Sequence, residues 1–135
     1  MTAISPGNLW AVGSATSLSS TSATLIEHYN GSAWSLVSSA QPTQVGDLEA
    51  VAALTPANVW AIGQPATGNQ TQPVVPLVEH FNGTSWKVQP APSLSGNSVL
   101  SFDGLVTTGS GRLWSVGSRN PAGTTVWQTL TARYS

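Results

Sequence analysis

Leu9-Trp10-Ala11-Val12-Gly13 recurs as Val59-Trp60-Ala61-Ile62-Gly63 and again as Leu113-Trp114-Ser115-Val116-Gly117. Each copy is an aliphatic residue, Trp, a small residue, an aliphatic residue and Gly, and the tryptophans stand 50 and 54 residues apart. A period in this range marks architectures that stack one supersecondary unit repeatedly, because a single unit cannot bury its own apolar faces. A second phrase keeps the same register. Leu25-Ile26-Glu27-His28-Tyr29-Asn30-Gly31-Ser32-Ala33-Trp34 returns as Leu77-Val78-Glu79-His80-Phe81-Asn82-Gly83-Thr84-Ser85-Trp86, and its opening returns as Leu130-Thr131-Ala132-Arg133-Tyr134.

The middle repeat shows what the unit is. Leu48 to Leu54 reads as a first strand, and Thr55-Pro56-Ala57-Asn58 as the compact turn after it, since Pro presets φ and Asn tolerates left-handed geometry. Val59 to Gly63 is apolar on both faces, as in a second strand with neighbours on each side. Leu77 to Phe81 is a third strand. Asn82-Gly83 predicts a two-residue type I′ hairpin turn into a fourth strand, Trp86 to Gln89. The fold class is therefore all-β, built of β-propeller blades of four antiparallel strands.

The repeats resemble the Trp-rich propeller repeats of exported proteins of soil bacteria, with a VWAVG strand and an EHWNGTxW hairpin, over essentially the whole chain. The NGSAW and NGTSW turns are also similar to degenerate Asp-box hairpins. The resemblance implies the fold and, by itself, no particular function. In this register Met1 falls within a first strand and Ser135 just before a fourth, so the chain holds about two and three-quarter blades. Blade one covers about residues 1–41, blade two about 42–93, and blade three about 94–135 without its outer strand. Three blades do not close a ring, and each end blade would expose an apolar face. Self-association into a closed propeller is the expected remedy, with a dimer of six blades favoured and a trimer the next ring. A purely structural fragment of this kind is one alternative reading of the chain.

Composition narrows the chemistry. Hydrophobic residues make up 40% of the 135-residue chain, enough for a core, whereas charged residues make up only 7%. Four Lys and Arg against five Asp and Glu leave no basic footprint for nucleic acid and no like-charge run for a membrane surface. The chain has no Cys, which excludes disulfides and thiolate metal sites. It has no apolar run near the length that spans a bilayer, so no membrane insertion is expected. Together with the resemblance, the Ser/Thr/Gly-rich, charge-poor character points to an extracellular or cell-surface bacterial protein.

The segments between second and third strands (14–23, 64–75, 118–125) and between successive blades (38–46, 90–97) differ in length and sequence, and antiparallel order puts both sets on one rim. Such a rim is the expected binding face of a repeat protein. On it, Asn69, Gln70, Gln72 and Asp47 are candidate ligand contacts, with Trp127, which has no counterpart in the other repeats. Glu49 and Asp103 align near the start of the innermost strand and are expected to line the channel. Two carboxylates fall short of the several oxygens a hard cation takes, so no metal is assigned, and no cofactor motif is present. Glu27-His28 and Glu79-His80 repeat at one blade position, which fits a blade-stabilising hydrogen bond better than an acid and base needed once. The expectation is a non-enzymatic binding module for carbohydrate or protein. The enzymatic alternative is a propeller-type glycosidase or lyase with Asp47, Glu49 or Asp103 as acid and base.

Overall fold

A computed structural model describes residues 1–16, 22–40, 46–65, 76–91, 98–108, 111–121 and 124–134. Its regular elements are all strands, in three antiparallel sheets that follow chain order. The first sheet contains β1 (Thr2–Ser5), β2 (Asn8–Thr16), β3 (Ser22–Tyr29) and β4 (Trp34–Leu36); the second contains β5 (Gly46–Thr55), β6 (Asn58–Pro65), β7 (Leu77–Phe81) and β8 (Trp86–Val88). The third contains β9 (Ser98–Thr107), β10 (Leu113–Pro121) and β11 (Gln128–Tyr134). Each is a meander in which sequential strands are hydrogen-bonded neighbours, so the middle repeat folds as its hydrophobic runs direct. Among the described residues no helix is long and apolar enough to cross a membrane.

The second sheet lies between the other two, and alternation along its strands divides its side chains between them. Leu48, Val51, Val59, Ala61, Leu77 and Trp86 pack with Trp10 and Ile26 of the first sheet. Ala52, Ile62 and Val78 pack with Phe102, Leu113, Leu130, Ala132 and Tyr134 of the third. Strands β1, β5 and β9, each at one edge of its sheet, lie in contact in that order. The short turns share one rim: Gly7 lies against Gly31, and Gly83 against Ala57. Strands leading into the segments 17–21, 66–75 and 122–123 therefore end on the opposite rim.

The glycine closing each Trp phrase has a physical cause in two copies. The pairing of β5 with β6 shifts between Leu48 and Ala50, leaving Glu49 as the extra residue of a β-bulge, and Asp103 occupies the same place between Phe102 and Gly104. At the bulge the first strand presses on the second. A Cβ on Gly63 would lie 1.9 Å from the Asp47 carbonyl oxygen, and one on Gly117 1.9 Å from that of Ser101. At Gly13 a Cβ would meet nothing within 4 Å, because β1 ends its pairing at Trp10 and never reaches that level.

The hairpins differ from a type I′ expectation. The third and fourth strands are joined by four residues, 30–33 and 82–85, between the pairs Tyr29↔Trp34 and Phe81↔Trp86. Asn82 Oδ1 accepts from the amides of Thr84 and Ser85 at 3.0 Å each, and Asn30 does the same for Ser32 and Ala33. The Asn side chain thus satisfies the turn's amides as an Asx turn, and Gly alone takes positive φ, 98° at Gly31 and 93° at Gly83.

The bulge geometry predicts unequal costs for one substitution. Gly63→Ala and Gly117→Ala each lose about 1–3 kcal/mol or more through backbone overlap. Gly13→Ala stays within about 1 kcal/mol of the parent and can gain stability by stiffening the unfolded chain. Urea unfolding of the three variants checks this, and equal losses at all three sites would contradict the role assigned to the bulge.

Candidate functional site

The bulges determine where the candidate carboxylates go. On a regular strand Glu49 and Asp103 would alternate onto a packed face; as the extra residue of a bulge each leaves the ladder and is exposed at the inner edge of its sheet. Adjacent β5 and β9 bring the two within electrostatic range, together with Asp47. Burial, then the charge of Asp103, then that of Asp47 push the Glu49 carboxyl above its ordinary 4.5, while a 3.1 Å hydrogen bond from Gln64 Nε2 pulls it back. Asp47 Oδ1 accepts from the Ser22 hydroxyl of the first sheet. Asp103 takes a long bond, 3.5 Å, from Ser101, whose hydroxyl also pairs with Ser118 at 2.8 Å.

Of the remaining candidates, Trp127 is 56% exposed on the approach to β11, beside the segment 122–123. Asn69, Gln70 and Gln72 lie outside the described residues. Thus Asp47, Glu49 and Asp103 form one group, and Trp127 stands on the rim of the third sheet. Among the described residues no group of three or more His, Asp or Glu is arranged to hold a metal ion. Comparison with protein-family models, with curated proteins and with solved structures finds no match to the chain.

In the repeated Glu-His pairs the two side chains point to opposite faces. His28 Nε2 pairs with Asn8 Oδ1 at 2.9 Å, and its ring lies tilted against Trp10 at 4.3 Å between ring centroids. His80 pairs with Asn58 Oδ1 at 3.0 Å and stacks on Trp60 at the same separation, and the Trp60 indole N–H donates to the same oxygen at 2.7 Å. Glu79 turns toward the first sheet and is fully buried. There it accepts from the Ala40 amide at 2.9 Å and the Ser39 hydroxyl at 3.3 Å, clasping the segment that leads out of β4. The Glu-His repetition marked these residues as structural; the particular partners carried no sequence signal, because they lie about 40 and about 22 positions away.

A concavity that no sequence motif marked lies between the turns that join first and second strands in the second and third sheets. Leu54, Thr55, Asn58, Thr107, Thr108 and Gly111 line an open groove of about 430 Å³ between the second and third sheets, on the short-turn rim. Thr107 Oγ1 donates to Ala53 O and Thr108 Oγ1 to Arg112 O, both at 3.4 Å. Its walls are neutral, so it offers shape and hydroxyls without an acid or base.

Burial raises the Glu79 carboxyl above 4.5, against the pull of its bonds from Ala40 and Ser39, and lowers the His80 imidazole below 6.5. The signs are opposite in their effect on stability. With Glu79 the folded state binds a proton more tightly than the unfolded chain, so its contribution is complete below pH 4.5 and is lost as pH rises through the elevated folded value. His80 contributes above pH 6.5 and loses that contribution as pH falls through its lowered value. Chemical unfolding from pH 4 to 8 should therefore show Glu79→Gln flattening the loss on the rising side and His80→Gln the loss on the falling side. An unchanged profile in both variants would refute these environments.

Proposed function

We propose that each sheet is a blade, that the chain is a β-propeller segment, and that it serves as a non-enzymatic binding module of an exported or cell-surface bacterial protein. Its ligand is a carbohydrate or a protein surface, taken at the rim where the variable segments leave the sheets. The observation that carries the reading is the pair Glu49 and Asp103, turned out of two adjacent inner strands by matching bulges, with Asp47 beside them. A carboxyl with raised affinity for protons beside two further carboxyls provides donor and acceptor oxygens, the complement of sugar hydroxyls or backbone amides. Trp127, exposed on the same rim, adds an aromatic face of the kind that stacks on a sugar ring. The sheet order, the contact of the inner strands and the repeated face-to-face packing support the propeller frame.

A second reading draws on the same group. One carboxyl pushed up beside a second carboxyl is also the arrangement of a glycosidase acid and its partner. The two readings separate by the fate of the ligand.

An array of neutral and acidic oligosaccharides, followed by mass analysis of what is eluted, distinguishes them. The expected outcome is retention of intact glycans, weakened about 5- to 100-fold by Glu49→Gln or Trp127→Ala, the range for loss of one buried polar contact or one aromatic anchor. Shortened glycans would establish the enzyme instead. Retention indifferent to both substitutions would remove the ligand from this rim.

A further inference from the structure

The outer faces of the first and third sheets are not alike, and their difference follows from the way the sheets stack. Across each sheet runs a row on one face: Leu9-Tyr29-Trp34, then Val59-Phe81-Trp86, then Leu113-Tyr134. On the opposite face runs a row of Trp with a basic residue: Trp10-His28, then Trp60-His80, then Trp114-Arg133. At both internal seams the Trp-basic face of one sheet covers the aliphatic-aromatic face of the next. Trp10, for instance, lies 4.9 Å from the Phe81 ring and 5.4 Å from that of Trp86, edge-on.

Stacking in a single direction leaves one half of this seam bare at each end. Trp34 is 44% exposed where its counterpart Trp86 is 5%, and Val116 is 47% exposed where Ile62 is 0%. Trp114 and Val106 are exposed beside Val116. The two bare faces also carry opposite charge. Glu27 stands on the face of Trp34, in the position from which Glu79 makes its clasp, and Arg133 stands on the face of Trp114, where the other sheets have His. Neither makes a hydrogen bond or ion pair among the described residues.

We infer that the Trp114 face of the third sheet docks on the Trp34 face of the first sheet in a second copy of this chain. The occupant is specified by continuity with the internal seams, since the face that a Trp-basic row covers twice within the molecule is the one the first sheet leaves open. It is specified also by charge, with Arg133 brought to the side of Glu27. The contact is head to tail, so two copies make it twice, and it closes into a ring if the rotation per sheet allows. The inference rests on the blade reading of the three sheets and is independent of what the rim binds.

Light scattering coupled to size exclusion on the whole chain provides the test. A particle of twice the 13.9 kDa chain mass is expected. Trp34→Asp and Val116→Asp alter side chains already exposed in the single chain, so each variant should keep its strand signal in circular dichroism while its dimer dissociation constant rises roughly 30-fold or more. Mixing the two variants should restore a one-to-one pair, because one intact Trp114 face and one intact Trp34 face remain. Monomeric wild-type chain overturns the inference, even if that monomer still retains glycans. So does a Val116→Asp variant that dimerises undiminished, which would show a like-to-like contact through Trp34.

Discussion

The closeness of the first strand to the second at Gly63 and Gly117 is the constraint on which the arrangement of side chains depends. The repeat needs an inner strand that buries an apolar residue toward the preceding sheet both before and after an acidic one. Strict alternation cannot supply that. One extra residue shifts the phase: Leu48 and Val51 both face the first sheet while Ala50 and Ala52 face the third. The bulge that does this lowers the strand onto its neighbour until a hydrogen is all that fits. A glycine on β6 or β10 thus lets its neighbour strand keep its core and expel its carboxylate in one stroke.

Much of this was legible in the residues, and the reasons differ by feature. The period, the three sheets and the extents of most strands follow from hydrophobic runs and turn residues that are local. The second strand of the middle repeat reads as Val59 to Gly63 and is observed as Asn58–Pro65; the third, Leu77–Phe81, agrees at both ends. The hairpin type was not legible, because Asn-Gly serves a type I′ turn and an Asx turn equally, and only the backbone decides whether the Asn side chain or its φ does the work. The bulge was not legible either. The alignment of Glu49 with Asp103 showed that a position was shared without showing that it was an insertion.

The candidate site divides along the same line. Alignment paired Glu49 and Asp103 because both follow the same local pattern. Their nearness, and that of Asp47, comes from two strands 54 residues apart lying side by side, which only the stacking of sheets creates. Trp127 was singled out by lacking a counterpart, and exposure is what the fold adds to it. Glu79 illustrates the converse, since repetition marked it as structural while its partners in the segment after β4 became visible only in three dimensions.

The clasp at Glu79 makes the two seams unequal. Between the first and second sheets the buried Glu79 carboxyl holds the departing chain by its bonds from Ala40 and Ser39, alongside the ring contacts of Trp10 with Phe81 and Trp86. Between the second and third sheets the corresponding residue is Ala132, and the ring contact of Trp60 with Tyr134 is longer, at 6.3 Å. Separating the first seam breaks the two bonds to Glu79; separating the second breaks the long bond from Thr107 to Ala53 along with its apolar contacts. The two seams are thus fastened by different groups, and native-state hydrogen exchange of β1 to β4 and of β9 to β11 reads the opening of each separately.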